Sequence, residues 1–281
     1  MPWMHLRPFA TALAALLFSA LAACSAQTDD PAASSEETGE EALVGGKPES
    51  RFQGAGYLAA KDAKDDAALC GATLIAPDVV VTAAHCVYRQ KGRALVFGTG
   101  ELAQRNHVPV VETHYHPSAH LEAQGSIDLV HTLLLNDLAY LVLERAVPGV
   151  TPIGLPTAKP KWGTCDAELV GYGKSNDDRV IRKGVGGCVV LNAKLSTDAI
   201  VEVKPNMGGA VCHRDGDEGH PALRPRADGT AELIGVYVGS VTGSFTDCRR
   251  YLQLLNGYEE SVGHADFYRD AIAASRVVAK R

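Results

Sequence analysis

Residues 70–86 read CGATLIAPDVVVTAAHC. Within this stretch Ala72-Thr73-Leu74-Ile75 and Val79-Val80-Val81 are short runs rich in β-branched residues, and Pro77-Asp78 between them is a turn signal. The segment therefore predicts two strands joined by a tight turn. The same grain continues from residue 43 onward, with short β-branched runs broken by Gly, Pro, Asn and Asp. Strands are expected at 71–75, 79–83, 94–98, 108–113, 138–143, 167–171, 187–192, 199–203 and 232–239. A Pro-rich connector from Val147 to Pro160 divides them into two runs of roughly equal length. Near the end Phe267, Ala271, Ile272, Ser275 and Val278 recur at helical spacing. The fold class expected is all-β, closed by one terminal helix.

The N-terminus speaks to compartment. His5 and Arg7 precede thirteen residues rich in Ala and Leu, Phe9 to Leu21. That is the length of a signal-peptide apolar segment and short for a bilayer span. It ends Leu21-Ala22-Ala23-Cys24, which resembles the lipobox of bacterial lipoproteins, with the lipid on Cys24. A plain signal peptide followed by a chance cysteine is the competing reading. Ser25, in place of aspartate, favours the outer membrane. The chain thus divides into a signal peptide (1–23), an acidic flexible tether (24–42) and a folded domain (43–281). Asp29, Asp30, Glu36, Glu37, Glu40 and Glu41 charge the tether, which has no Lys or Arg to answer them. The rest of the domain is then nearly neutral, giving no electrostatic case for a nucleic acid or an anionic lipid surface as partner. Membrane contact is expected through the lipid anchor alone. Of seven cysteines, Cys24 takes the lipid and six remain for disulfides in an oxidising compartment.

Chemistry-bearing motifs follow one another along the domain. They are Leu43-Val44-Gly45-Gly46, Cys70-Gly71-Ala72-Thr73-Leu74-Ile75, Thr82-Ala83-Ala84-His85-Cys86, Asn136-Asp137-Leu138-Ala139, Pro152-Ile153-Gly154-Leu155-Pro156, Gly171-Tyr172-Gly173, Gly216-Asp217-Glu218-Gly219-His220-Pro221 and Leu233-Ile234-Gly235-Val236. In this order they resemble the bacterial trypsin-like (S1, chymotrypsin-fold) serine protease family over about residues 43–279. The resemblance implies two six-stranded antiparallel β-barrels, at about 43–146 and 161–263, and a helix at about 264–279. It implies His85 as general base, with Asp137 fixing its tautomer and supporting the imidazolium. The order His, Asp, then residue 218 is the chymotrypsin order. Gly216, Asp217 and Gly219 would form the oxyanion loop. Implied disulfides are Cys70–Cys86, Cys212–Cys248 and Cys165–Cys188, the first worth roughly 3 kcal/mol.

The chain departs from the family at the nucleophile. Counting from Gly216-Asp217, Glu218 stands where serine belongs; counting from Cys212 puts Gly216 there, and a frame on Gly208-Gly209 puts Met207 there. Spacing to Gly235 favours Glu218. No Ser or Thr occurs from 198 to 229, so no frame restores a hydroxyl. A carboxylate beside His85 is expected to form a static ion pair with it. Asp217 aligns with the aspartate that pairs with a newly cut N-terminus, here Leu43; cutting Ala42–Leu43 would sever the domain from its anchor. His107, His114, His116 and His120 invite a metal reading, since His114 and His116 share one face of a strand. His116-Pro117 is equally a family loop feature, and no metal or other cofactor is assigned. Cys212 as a substitute nucleophile is silenced if it pairs with Cys248. By the same resemblance, Gly239 would hold the substrate pocket open. The expectation is a monomeric, catalytically inactive homologue on the bacterial envelope that binds protein or peptide. The alternative is an active hydrolase, serine-type or metal-assisted, using His85 and Asp137 with a non-standard nucleophile.

Overall fold

A computed structural model of the chain describes residues 47–48, 50–61, 70–100, 107–119, 121, 136–161, 165–172, 184–194, 200–205, 216–241 and 255–277. After β1 (Lys47–Pro48), six strands make the first barrel: β2 (Ala55–Ala60), β3 (Cys70–Ala76), β4 (Val79–Ala83), β5 (Leu95–Gly98), β6 (His107–Tyr115) and β7 (Leu138–Leu143). It closes in the order β2-β3-β4-β7-β6-β5. The helix α1 (Ala84–Tyr88) leaves the end of β4 directly. The second sheet holds β8 (Cys165–Gly171), β9 (Gly184–Lys194), β10 (Ile200–Pro205), β11 (Pro221–Pro225), β12 (Ala231–Val241) and β13 (Leu255–Glu260). Its order is β1-β9-β10-β13-β12-β11-β8, and a further antiparallel pairing of β8 with β9 joins its ends into a ring. The two-residue β1 adds to that ring through Lys47↔Val185, a seventh strand beyond the six expected. The helix α2 (Ala265–Ala273) follows.

The 70–86 stretch behaves as its sequence dictates. Thr73 pairs with Val81 and Leu74 with Val80 around the Pro77-Asp78 turn, and a register shift between Leu74 and Ala76 leaves Ile75 as a bulge. Strands β2, β3 and β4 are buried on both faces. One face fills the first barrel, where Leu58, Ala72, Leu74, Val80, Phe97 and Leu141 pack together. The other meets the second ring and α2, placing Ala55, Ile75, Val79 and Val81 with Val170, Leu223, Leu233, Val236, Phe267 and Tyr268. Each such fully buried Val or Leu contributes about 1.5–3 kcal/mol, so the contact between the rings is a core in its own right.

Four strands differ from the sequence expectation. β1, β2, β11 and β13 are formed although none was foreseen. AGYLAA in β2 and PALRP in β11 lack β-branched residues, and both are fixed by neighbours rather than by propensity. The helix is also shorter than 264–279: α2 ends at Ala273, a turn carries the chain to 277, and Val278 lies outside the described residues. Its amphipathic reading holds, with Phe267, Tyr268 and Ala271 buried. The end is tied down by Asp78 of the β3–β4 turn, which accepts from the Ser275 hydroxyl and, at 2.9 Å, from the Arg276 N–H.

Candidate functional site

His85 and Asp137 meet where the first barrel faces the second. His85 sits in the first turn of α1, whose N-cap position, Ala83, has no capping side chain. The cap comes from across the barrel. The Asp137 carbonyl accepts from the Ala84 N–H (3.1 Å), and Asp137 Oδ1 accepts from the His85 N–H (2.8 Å). Two orphan donors of the helix start are thereby satisfied. Asp137 Oδ2 then accepts from His85 Nδ1 at 2.5 Å, so the same carboxylate both caps the helix and fixes the imidazole. Both side chains are buried, 5% and 1% exposed, and little water competes for the contact. Asn136 carries a φ of 50°, the left-handed conformation that asparagine tolerates best among residues with a side chain, and this turns Asp137 inward.

A second carboxylate supports the first, one that motif reading missed. Glu259 of β13 accepts the Asp137 N–H through Oε1 (3.0 Å) and bonds His264 Nε2 through Oε2 (2.9 Å). Burial pushes its carboxyl above the ordinary range, against the opposing pull of His264 and of the Asp137 N–H. His116 lies edge-on to His264 at 5.0 Å. Burial first, and the neighbouring His264 second, push His116 down to about 4.

The Gly216–His220 turn lies against the same corner. Gly71 N–H donates to the Glu218 carbonyl at 2.7 Å, and Gly219 N–H donates to the Tyr237 carbonyl at 2.7 Å. His220 is fully buried and bonded at both nitrogens. Its Nε2 accepts the Tyr172 N–H (2.8 Å), so the proton must sit on Nδ1, which donates to the Asp217 carbonyl (2.8 Å). Asp217 is wholly buried, with Oδ1 3.5 Å from the same nitrogen. The Leu43 segment proposed to meet it lies outside the described residues.

The expected ion pair of Glu218 with His85 is not formed. Glu218 Oε2 instead accepts the Gly216 N–H at 3.0 Å. A contact two residues away orders less chain than one reaching across to α1, and it satisfies a backbone donor that would otherwise need another partner. Among the described residues His85 Nε2 meets only the Cys86 sulfur, at 3.6 Å. Cys86 is bridged to Cys70, as the resemblance implied, with a Cα–Cα distance of 6.0 Å. Among the described residues Cys70, His85 and Cys86 form the one group close enough to share a metal, but sulfurs joined to each other offer no thiolate. The other histidines are dispersed: His107 bonds the Tyr57 hydroxyl (2.9 Å), His114 stacks on Tyr140, and His116 turns toward His264.

Val238 occupies a bulge in β12 and packs with Ala83 against the Cys70–Cys86 bridge. Next to it, a Cβ added to Gly239 would meet no atom within 4 Å among the described residues. Cys165 lies opposite Val190 and Cys188 opposite Glu168, on paired strands; their side chains are outside the described residues. Cys24, Met207, Cys212, Cys248 and His120 are outside them too.

The sequence profile described as Trypsin matches residues 43–250. Tonin of Rattus norvegicus is 29% identical over 191 residues, covering 65% of this chain and 73% of tonin. Kallikrein-2 of Homo sapiens is 33% identical over 140 residues, covering 46% of this chain and 51% of that protein, so the match spans about half its length. Among solved structures, neuropsin, a serine protease expressed in the limbic system of mouse brain, superposes with a TM-score of 0.62 at 15% identity. The superposition covers 81% of this chain and 98% of that one, and at such identity it speaks for the fold alone.

Proposed function

Since this chain belongs to the trypsin family of chymotrypsin-fold peptidases, we propose that it keeps the peptidase scaffold but binds a protein or peptide without cutting it. The observation that carries this reading is Glu218. In the family's chemistry a serine hydroxyl attacks while backbone N–H groups, here those of Gly216 and residue 218, hold the oxyanion. This chain has no hydroxyl residue from 198 to 229, and the Glu218 carboxylate already takes the Gly216 N–H. The nucleophile is replaced by a group that also consumes the donor meant for the oxyanion and places negative charge beside it. Loss of the serine alone costs about 10⁶ in kcat, or roughly 8 kcal/mol of barrier. A carboxylate attacking a peptide carbonyl would give a labile anhydride, so it is no simple substitute.

The test is hydrolysis of casein and peptides by the purified protein beside His85→Ala. The expected result is no activity above that control. Activity abolished by His85→Ala would instead support the second reading, a hydrolase with a non-standard nucleophile. That reading draws on one feature, the His85–Asp137 pair, whose contact at 2.5 Å is what a general base requires.

We place the protein on the bacterial envelope, held by lipid on Cys24, as a monomer whose partner is a protein or peptide. Labelled fatty acid should enter the native chain and fail to enter Cys24→Ala. Native material should retain the tether; Leu43 as its principal N-terminus would overturn the anchored form.

A further inference from the structure

We infer that the Cys70–Cys86 bridge, once reduced, forms with His85 a binding site for a zinc ion. The two sulfurs and an imidazole nitrogen of His85 lie within 4.8 Å of one another. His85 Nε2 is 3.6 Å from the Cys86 sulfur. Tetrahedral zinc has bonds of about 2.3 Å to sulfur and about 2.0–2.1 Å to nitrogen, so its sulfur–nitrogen edge is about 3.6 Å. That edge is already set. The sulfur–sulfur edge of such a site is about 3.8 Å, so the two cysteine side chains have only to turn apart once the S–S bond is cut. They issue from Cα atoms 6.0 Å apart on two elements, the start of β3 and α1.

The imidazole is prepared for a metal. Asp137 Oδ2 accepts from His85 Nδ1 at 2.5 Å, which places the ring proton there and leaves the Nε2 lone pair for a cation. A carboxylate behind a metal-bound histidine orients the ring and raises its basicity. That carboxylate is 1% exposed, and the Asp137 backbone is anchored in turn by Glu259 at 3.0 Å. Two thiolates would neutralise the dication, which suits a setting where Ala83 and Val238 pack on the sulfurs. Soft sulfur with imidazole selects zinc over magnesium or calcium. Three protein ligands leave one tetrahedral position unfilled by the described residues, the open arrangement. Residue 218 contributes no ligand, so the site is the same whether or not the chain cuts peptides.

The chemistry takes two steps. A dithiol reductant gives two electrons and two protons to the bridge and closes to its own disulfide, leaving thiols at Cys70 and Cys86. Zinc then displaces both thiol protons, which pass to solvent. The same sulfurs make either state, so bridge and zinc exclude one another.

The test uses the whole chain reduced with a phosphine, which delivers the same two electrons and takes its oxygen from water. Alkylation by iodoacetamide, mapped by peptide, reads Cys70 and Cys86 separately from the chain's other cysteines. Zinc should slow alkylation of both about tenfold or more, and magnesium should not. His85→Ala should lose that protection, and Asp137→Asn should need about 10–100 times more zinc. His114→Ala, at an exposed histidine, should behave as the parent. Amide spectra report folding; where reduced His85→Ala is unfolded, Asp137→Asn carries the comparison. A reduced parent that unfolds should regain its folded spectrum when zinc is added. Failure to regain it, no protection of Cys70 and Cys86 by zinc, equal protection by magnesium, or undiminished protection in folded His85→Ala or Asp137→Asn would overturn the inference.

Discussion

Glu259 and His116 show how much of this site is decided by single buried groups. The Glu259 carboxylate is 1% exposed and serves Asp137 and His264 together. Glu259→Ala should cost about 3 kcal/mol, because it leaves a backbone donor and an imidazole without their acceptor. Urea denaturation measures that loss, and the His85 Nδ1 proton resonance should broaden as Asp137 loosens. His116 gives a pH dependence of known sign. Its folded value near 4 lies below that of a free imidazole, so the unfolded chain takes up the proton first as pH falls. Its contribution is therefore present above about pH 6.5 and is lost progressively down to about pH 4. His116→Asn should flatten the fall in melting temperature across that window, by a modest amount since the ring is only half-buried. Sequence spacing singled out His85, Asp137 and Glu218 as candidates, because each lies in a local motif. It did not find Glu259, since Glu-Glu beside Ser261 reads as solvated surface until the second ring is folded around it.

Elements are positioned here by close approach. An added Cβ on Gly71 of β3 would lie 2.3 Å from the His220 ring, and one on Gly219, at φ +86°, 2.3 Å from the Gly71 carbonyl. Strand β3 and the 216–220 turn are therefore in contact along their backbones, and this sets the Glu218 carbonyl on the Gly71 N–H. Gly71→Ala should destabilise the protein by about 1–3 kcal/mol through overpacking, read as a lower urea midpoint at unchanged m-value. The hairpin β3–β4 was legible because its β-branched runs and Pro-Asp turn are local signals. Strand β2 was not, because Ala and Gly there serve packing on two faces at once and carry no alternation to read. The end of α2 was likewise hidden, since Asp78, 197 residues before Ser275, is what binds it.

At the scale of the molecule, the two rings share the core between them with α2, and the Cys70–Cys86 bridge lies at the edge of that contact beside Val238 of the second ring. Replacing both cysteines by alanine should lower stability by roughly 3 kcal/mol, as expected for releasing a loop of this size, and denaturation of variant and parent under non-reducing conditions measures it. The sequence by itself determined the family, the strand-rich class, the identities at 85, 137 and 218, and the absence of a hydroxyl near the last of these. All are properties of residue type and spacing, readable without contacts. Only the tertiary structure decided where the Glu218 carboxylate points, what caps α1, which nitrogen of His220 carries the proton, and that Glu259 stands behind Asp137. Each of those depends on a backbone or side-chain group brought close by the fold, and hydrogen-bond satisfaction in a buried site is settled by distance in space, which separation along the chain does not encode.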